Sequence, residues 1–305
     1  MHISVQSKMF FDWYQATIFD DEQAVLDSIA KLGHGIIPNR GIARMYHYDQ
    51  GYQIQSNFGI VATVLIGGNG KYPHAFATSD NAPAFADLVR TEWPNKHRVT
   101  RVDATTDFHE FGSYDRLRSV CKEISKGFGL QFAQHSDELN RYAGRTQYIG
   151  SKTSEYRSRL YEKGLQIVGQ LPEVRNGSLC PADITVCHST EGVSIRAPDW
   201  SRLELQARPK YEDGKLLAAT LSPEEIWGMS KWTLELANKA LALDLERVYI
   251  RAKRDSSDEK AFRAMVSQYA NVLTRLRIDL GDWESVGLTI GDALVEIKKK
   301  PKSYY

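Results

Sequence analysis

Arg202-Leu203-Glu204-Leu205-Gln206 alternates polar and apolar residues at every step. Successive side chains of an extended strand point to opposite faces, so Leu203 and Leu205 face a core while Arg202, Glu204 and Gln206 share the other side. Arg101-Val102-Asp103-Ala104-Thr105-Thr106-Asp107 divides the same way. Arg101, Asp103 and Thr105 fall on one face, and Asp107 joins them if the strand persists. Further strands are predicted at 9–19, 43–48, 59–66, 98–105, 131–132, 146–150, 157–163 and 202–207. Helices are predicted from the Asp20-Asp21 cap to about Lys31, over 82–92 before Pro94, and over 113–126. This mixture implies an α+β fold, with a mixed or antiparallel sheet and helices packed on one face.

The pattern changes after about residue 221. Ser222 followed by Pro223-Glu224-Glu225 is a helix-start signal, and Trp227, Trp232, Leu236 and Leu241 lie along the stretch behind it. Two more amphipathic helices are predicted at 256–277 and 282–297. The expected division is a sheet-bearing domain over 1–220 and a helical C-terminal region over 221–305.

The chain has 305 residues, 42% hydrophobic and 25% charged, with a formal net charge of only +1, which is ordinary globular composition. Charge is uneven along it. Arg141, Arg145, Lys152, Arg157, Arg159 and Lys163 face only Glu155 and Glu162 between 141 and 163, and Lys298, Lys299, Lys300 and Lys302 crowd the tail. A local basic stripe on a neutral protein suits a confined phosphate-binding surface; the tail reads first as a solvated end. Cys121, Cys180 and Cys187 form no C-x-x-C pair, and Cys180, Cys187 and His188 lack an evident fourth metal ligand. With no signal-peptide core and no membrane-length apolar run, a soluble cytoplasmic protein with reduced thiols is expected.

Three segments carry chemistry. Asp103 and Asp107 on the first place carboxylates on a sheet face, where they need a cation or a metal. In the second, Thr146-Gln147-Tyr148-Ile149-Gly150-Ser151 precedes Ser154 to Gly164. There an extended strand would put Arg157, Arg159, Tyr161 and Lys163 on one face. Cations beside a phenol suit a phosphodiester: they would hold its oxygens and favour the phenolate of a group whose ordinary pKa is about 10. In the third, Glu204 could stand beside Asp103 as a second metal carboxylate, a hard-oxygen pair suited to Mg2+ or Mn2+. Each segment alone also fits a wet sheet face with Arg–carboxylate pairs and packed tyrosines.

Taken in order, R-V-D-x-x-x-D, then Y-I-G-S with R-L-Y-E-K-G, then R-L-E-L resemble the replication initiation factor family, the rolling-circle initiators of filamentous phages and pT181-type plasmids. The resemblance spans roughly 10–210, includes Asp12-Trp13, and is most specific in the middle motif. It implies a nicking-joining domain over 1–220 that cuts one strand at an origin by tyrosine attack, keeps the 5′ phosphate and leaves a 3′-OH primer. The family tyrosine falls on Tyr161, the carboxylates on Asp103 and Glu204, and the assisting cations on Arg159 and Lys163. Asp107 or Glu162 could complete the metal site, and Tyr156 is the rival nucleophile. Origin DNA, a host helicase and polymerase, and a second copy in a homodimer are the implied partners. None of the eight histidines forms the His-hydrophobe-His metal motif of other rolling-circle enzymes, which agrees with a carboxylate site. Two rivals remain: a metal-dependent nuclease that activates water, and an origin-binding protein without activity.

Overall fold

The structure is a computed structural model that describes residues 8–68, 70–137, 144–187, 192–241, 244–248 and 257–299. His188, Arg141, Lys300 and Lys302 of the sequence reading lie outside the described residues.

Among the described residues the sheet strands are β1 (Phe10–Ile18), β2 (Gly35–Pro38), β3 (Gln50–Ser56), β4 (Gly59–Ile66), β5 (His74–Thr78), β6 (His97–Phe108), β7 (Phe132–His135), β8 (Thr146–Ile149) and β9 (Tyr156–Tyr161). A two-stranded hairpin, β10 (Thr185–Cys187) and β11 (Ser194–Arg196), precedes β12 (Ser201–Ala207). Ten strands form one sheet in the order β2-β3-β4-β5-β1-β6-β12-β9-β8-β7. The pairings within it are antiparallel, so the fold is α+β with an antiparallel sheet.

The helices are α1 (Glu22–Ala30), α2 (Arg40–Met45), α3 (Ala82–Glu92), α4 (Ser113–Gly127), α5 (Lys163–Val168), α6 (Pro172–Arg175), α7 (Glu212–Ala218), α8 (Pro223–Trp227), α9 (Lys231–Leu241), α10 (Ser257–Leu280) and α11 (Trp283–Lys299). Asp21 caps α1 by accepting from the backbone N–H of Gln23 and Ala24, as the sequence predicts. Ser222 and Glu225 close a reciprocal capping box at α8.

One core joins one face of the sheet to the helices. Tyr14, Val102, Ala104, Leu160, Leu203 and Leu205 come from the strands; Ile29, Phe85, Leu117, Trp227 and Leu236 come from α1, α3, α4, α8 and α9. Each fully buried leucine here contributes roughly 1.5–3 kcal/mol of transfer free energy. The opposite face of β1, β6, β12 and β9 carries the charged residues and forms the site.

Two expectations are corrected. Residues 43–48 are not a strand: Asn39 accepts from the N–H of Ile42 and starts α2, and the strand follows at β3. The predicted 157–163 strand ends at Tyr161, because Glu162 turns the chain into α5 and Lys163 is helical. The chain forms two compact units, 1–251 and 252–305, and α8 and α9 belong to the core of the sheet. In the second unit, α10 and α11 pack against each other, with Val286 buried. No helix among the described residues is long and apolar enough to cross a membrane.

Candidate active site

Register places the charged residues next to one another. Across β12 and β6, Arg202 lies opposite Asp107, Glu204 opposite Thr105, and Gln206 opposite Asp103. Across β12 and β9, Arg202 lies opposite Tyr161 and Glu204 opposite Arg159. Period-two alternation therefore gathers Asp103, Asp107, Glu204, Arg159, Arg202 and Tyr161 on the face away from the core.

Each carboxylate meets an arginine. Arg202 grips Asp107 with two parallel bonds, Nε to Oδ1 at 2.7 Å and Nη2 to Oδ2 at 2.8 Å, and its Nη1 donates to Asp12 at 2.8 Å. Arg101 holds Asp103 through Nε at 2.9 Å and through Nη2. Arg159 Nη2 donates to Glu204 Oε2 at 2.8 Å. Its Nε lies 2.7 Å from Oε1, but the alignment is not that of a hydrogen bond, so Oε1 has no hydrogen-bond donor. Thr105 Oγ1, on the opposing strand, is also buried without a partner.

Burial sets the protonation states. Glu204 is 0% exposed, and desolvation, then the charge of Asp103, push its pKa up to about 8 against the opposing pull of Arg159. Tyr161 is 4% exposed; desolvation and then Glu204 raise its pKa, with Arg202 and Arg159 lowering it. The expectation that flanking cations favour the phenolate is therefore reversed in sign here. Desolvation outweighs them, and the resting side chain is a neutral phenol. Burial, then Arg202, lower the pKa of Lys163, whose Nζ stands 6.0 Å from the Tyr161 ring centroid.

The other candidates sit elsewhere. Glu162 accepts from the backbone N–H of Arg145 at 2.7 Å and from its guanidinium at 2.8 Å, away from the carboxylates. Tyr156 packs with the core on the helix-covered face, where desolvation raises its pKa. The structure thus separates Tyr156 from the charged residues and keeps Tyr161 among them.

Two glycines of the middle motif position this corner. Gly150 ends β8 with φ +86°, a left-handed conformation strained for other residues. Gly164 lies so close to the Ala197 backbone that a Cβ would collide with the Ala197 carbonyl. That approach, with Gly164 N–H donating to Trp200 O at 3.2 Å, ties the end of β9 to the start of β12.

A basic cluster continues past the carboxylates. Burial, then Arg101, lower the pKa of Arg208, with Arg157 adding to the repulsion. The sequence reading missed Arg208 and the role of Asp12. Asp12 sits at a register shift between Phe11 and Trp13, so strand alternation does not reveal its side.

Donor chemistry fits a hard divalent cation in kind: Asp103 and Glu204 are buried, and Thr105 Oγ1 on the opposing strand lacks a hydrogen-bond partner, while Glu204 Oε1 is in ion-pair contact with Arg159 at 2.7 Å. Among the described residues no group of three or more His, Cys, Asp or Glu side chains is already arranged to hold a metal.

No protein-family model matches the chain. No curated protein matches it either. Among solved structures, it is similar to a rolling circle replication initiator protein from Geobacillus stearothermophilus, at 17% identity and a TM-score of 0.47, over 79% of this chain and 99% of that one.

Proposed function

We propose that this protein is a rolling-circle replication initiator, a DNA nicking and joining enzyme whose nucleophile is Tyr161. The observation that carries this is one phenol held on a polar sheet face between a buried acid cluster and a row of arginines. Binding duplex DNA alone calls for cations on a surface, with no buried Asp103 and Glu204 beside a tyrosine.

The chemistry is a transesterification. Tyr161 Oη loses its proton and forms a bond to phosphorus in line with the departing 3′ oxygen. The P–O3′ bond breaks, and that oxygen takes up a proton as the 3′-OH. The phosphotyrosine conserves the phosphodiester, so the reverse reaction reseals the strand. Arg159 and Lys163, within 5.3 and 6.0 Å of the Tyr161 ring centroid, neutralise the non-bridging oxygens. Arg101 and Arg157 both repel Arg208, a repulsion that a polyanion would relieve, so the three hold the adjoining backbone.

Asp103 and Glu204 would hold Mg2+ or Mn2+, with Asp107 kept by Arg202 on the next rung. Bound there, the ion would polarise the scissile phosphate. Its charge would also offset Glu204, the strongest charged opponent of Tyr161 ionisation. Single-stranded or locally melted origin DNA is the substrate of this reading. A helicase, a polymerase and a second copy of the chain are its further partners.

The test is a labelled origin oligonucleotide incubated with Mg2+ or Mn2+ and resolved on a denaturing protein gel. A retarded protein band carrying the 3′ fragment through its 5′ phosphate, absent in Tyr161→Phe, is expected. Cleavage without an adduct would replace this mechanism by a water-activating nuclease.

A further inference from the structure

A second feature lies on the same polar face, toward the other end of β1 and β6. It is a cleft of about 350 Å³, ample for one nucleobase, walled by Tyr46, Tyr48 and Tyr72 with exposed Lys71 at its rim. Its floor is made by residues of β1, β5 and β6: Gln15, Thr17, His74, Arg98 and Thr100. Trp13 Nε1 donates to Gln15 Oε1 at 3.0 Å, which fixes the orientation of the Gln15 amide. The Gln15 amide nitrogen then faces His74 Nε2 at 2.7 Å, and His74 Nδ1 lies 3.2 Å from Thr17 Oγ1. Burial, then Arg98, lower the pKa of His74 to about 4, so the ring is neutral. Its Nε2 accepts from Gln15 and its Nδ1–H donates to Thr17. Gln15, His74 and Thr17 form a neutral hydrogen-bond chain beside Arg98, and the Tyr48 ring lies near-parallel to His74 at 5.8 Å.

A continuous row leads from this cleft to the acid cluster. Trp13 stacks on Phe76 with 8° between the planes and carries the Arg101 guanidinium 3.8 Å from its ring centroid. Arg101 in turn holds Asp103. From Thr17 and Arg98 to Asp103 is five residues along β6, roughly 15 Å at strand rise, so the cleft stands a few nucleotides from the reacting phosphate.

We propose that this cleft takes up one unstacked base of the same DNA strand whose phosphate lies at Tyr161, with Tyr48 and Tyr46 stacking on the base and Lys71 on its phosphate. This rests on the DNA-nicking reading above. Aromatic walls accept any base, because every base has a π face, and a cation at the rim supplies the backbone contact. Neutral Gln15, Thr17 and His74 add donors and acceptors at the base edge, and Arg98, paired with Glu212, lines the cleft beside them. The subsite would hold the strand in a splayed register across the sheet, as cutting at one phosphate requires.

The experiment uses the full chain and two fluorescein-labelled oligonucleotides of about sixteen nucleotides, within the range bound by single-strand-binding modules. One is oligothymidylate; the other has the same backbone with every base replaced by an abasic unit. Fluorescence anisotropy reads their affinities. Tyr48→Leu is expected to weaken oligothymidylate binding about tenfold, in the range for one stacked base, and to leave abasic binding unchanged. Tyr46→Leu should act in the same direction, and Lys71→Ala should weaken both oligonucleotides alike. Unchanged abasic binding also shows that each variant is folded. If Tyr48→Leu and Tyr46→Leu bind oligothymidylate as tightly as the natural chain, or lose both ligands equally, the base subsite is overturned. The Tyr161 adduct assay is independent of this outcome. An adduct with no effect at Tyr48 sinks only the subsite, whereas no binding of either oligonucleotide by the natural chain sinks the DNA reading with it.

Discussion

The two faces of the central sheet are made by the same strands and behave as opposite materials. On one, Leu203, Leu205, Val102, Ala104 and Leu160 interlock with helices; on the other, Arg202, Glu204, Asp103, Arg159 and Tyr161 form a network of charges. The first is held by area removed from water and the second by compensation of charge. A substitution should therefore disturb stability on one face and chemistry on the other.

The largest effect is expected at Tyr161. Tyr161→Phe removes one oxygen and keeps the ring, so covalent adduct should fall at least about a thousandfold while the chain stays folded. Adduct yield on a denaturing gel and the thermal midpoint measured side by side check both halves. An active Tyr161→Phe protein would break the assignment of chemistry to this face.

Neighbours in one strand sharpen the contrast. Leu203→Ala should cost about 2–5 kcal/mol in urea unfolding, with adduct formation preserved below the shifted midpoint. Glu204→Gln should do the reverse. Burial raises the Glu204 pKa from 4.5 to about 8, so the folded chain holds a proton that the unfolded chain releases. The stability contributed by Glu204 is complete below 4.5 and is lost as pH rises through 8. Glutamine keeps the neutral shape, so with EDTA present the variant should outlast the natural chain at about pH 8, by on the order of a few kcal/mol. Adduct formation should meanwhile collapse. Equal stability of the two proteins at that pH would mean that Glu204 is ionised and fully compensated.

His74 gives the opposite sign on the same face. Its folded pKa is depressed from 6.5 to about 4 by burial and Arg98, so its contribution is complete above 6.5 and lost as pH falls through 4. The stability gap between the natural chain and His74→Gln should shrink from neutral pH to about pH 4 by up to roughly 3 kcal/mol. A gap that stays constant over this range would show that the imidazole is not held neutral.

What alternation could reveal was legible in the sequence. Arg202 to Gln206 and Arg101 to Asp107 fall on the faces that their spacing predicts, and the α+β layout follows from strands apolar on one side. What depends on a local cap or a bulge was not. Residues 43–48 look strand-like, but Asn39 captures the Ile42 N–H and makes a helix. Asp12 joins Arg202 only because a register shift turns it toward that side. Lys163 stays near the Tyr161 ring by starting a helix rather than by prolonging the strand. Signs of pKa shifts were illegible as well: the cations beside Tyr161 can be read in the sequence, but the desolvation that overrides them is a property of the packed site.

Tyr156 offers the smallest effect and the cleanest control. It lies five residues before Tyr161 on the same strand, so an odd spacing puts the two phenols on opposite faces. Its hydroxyl is buried among core residues without a hydrogen-bond partner. Removing an unsatisfied buried hydroxyl is close to neutral for folding or mildly favourable. Tyr156→Phe should therefore leave adduct yield within about twofold and raise stability by up to roughly 1 kcal/mol, both read on the samples used for Tyr161→Phe. Loss of adduct in Tyr156→Phe with retention in Tyr161→Phe would exchange the two assignments, and would require the strand to present its other face to the DNA.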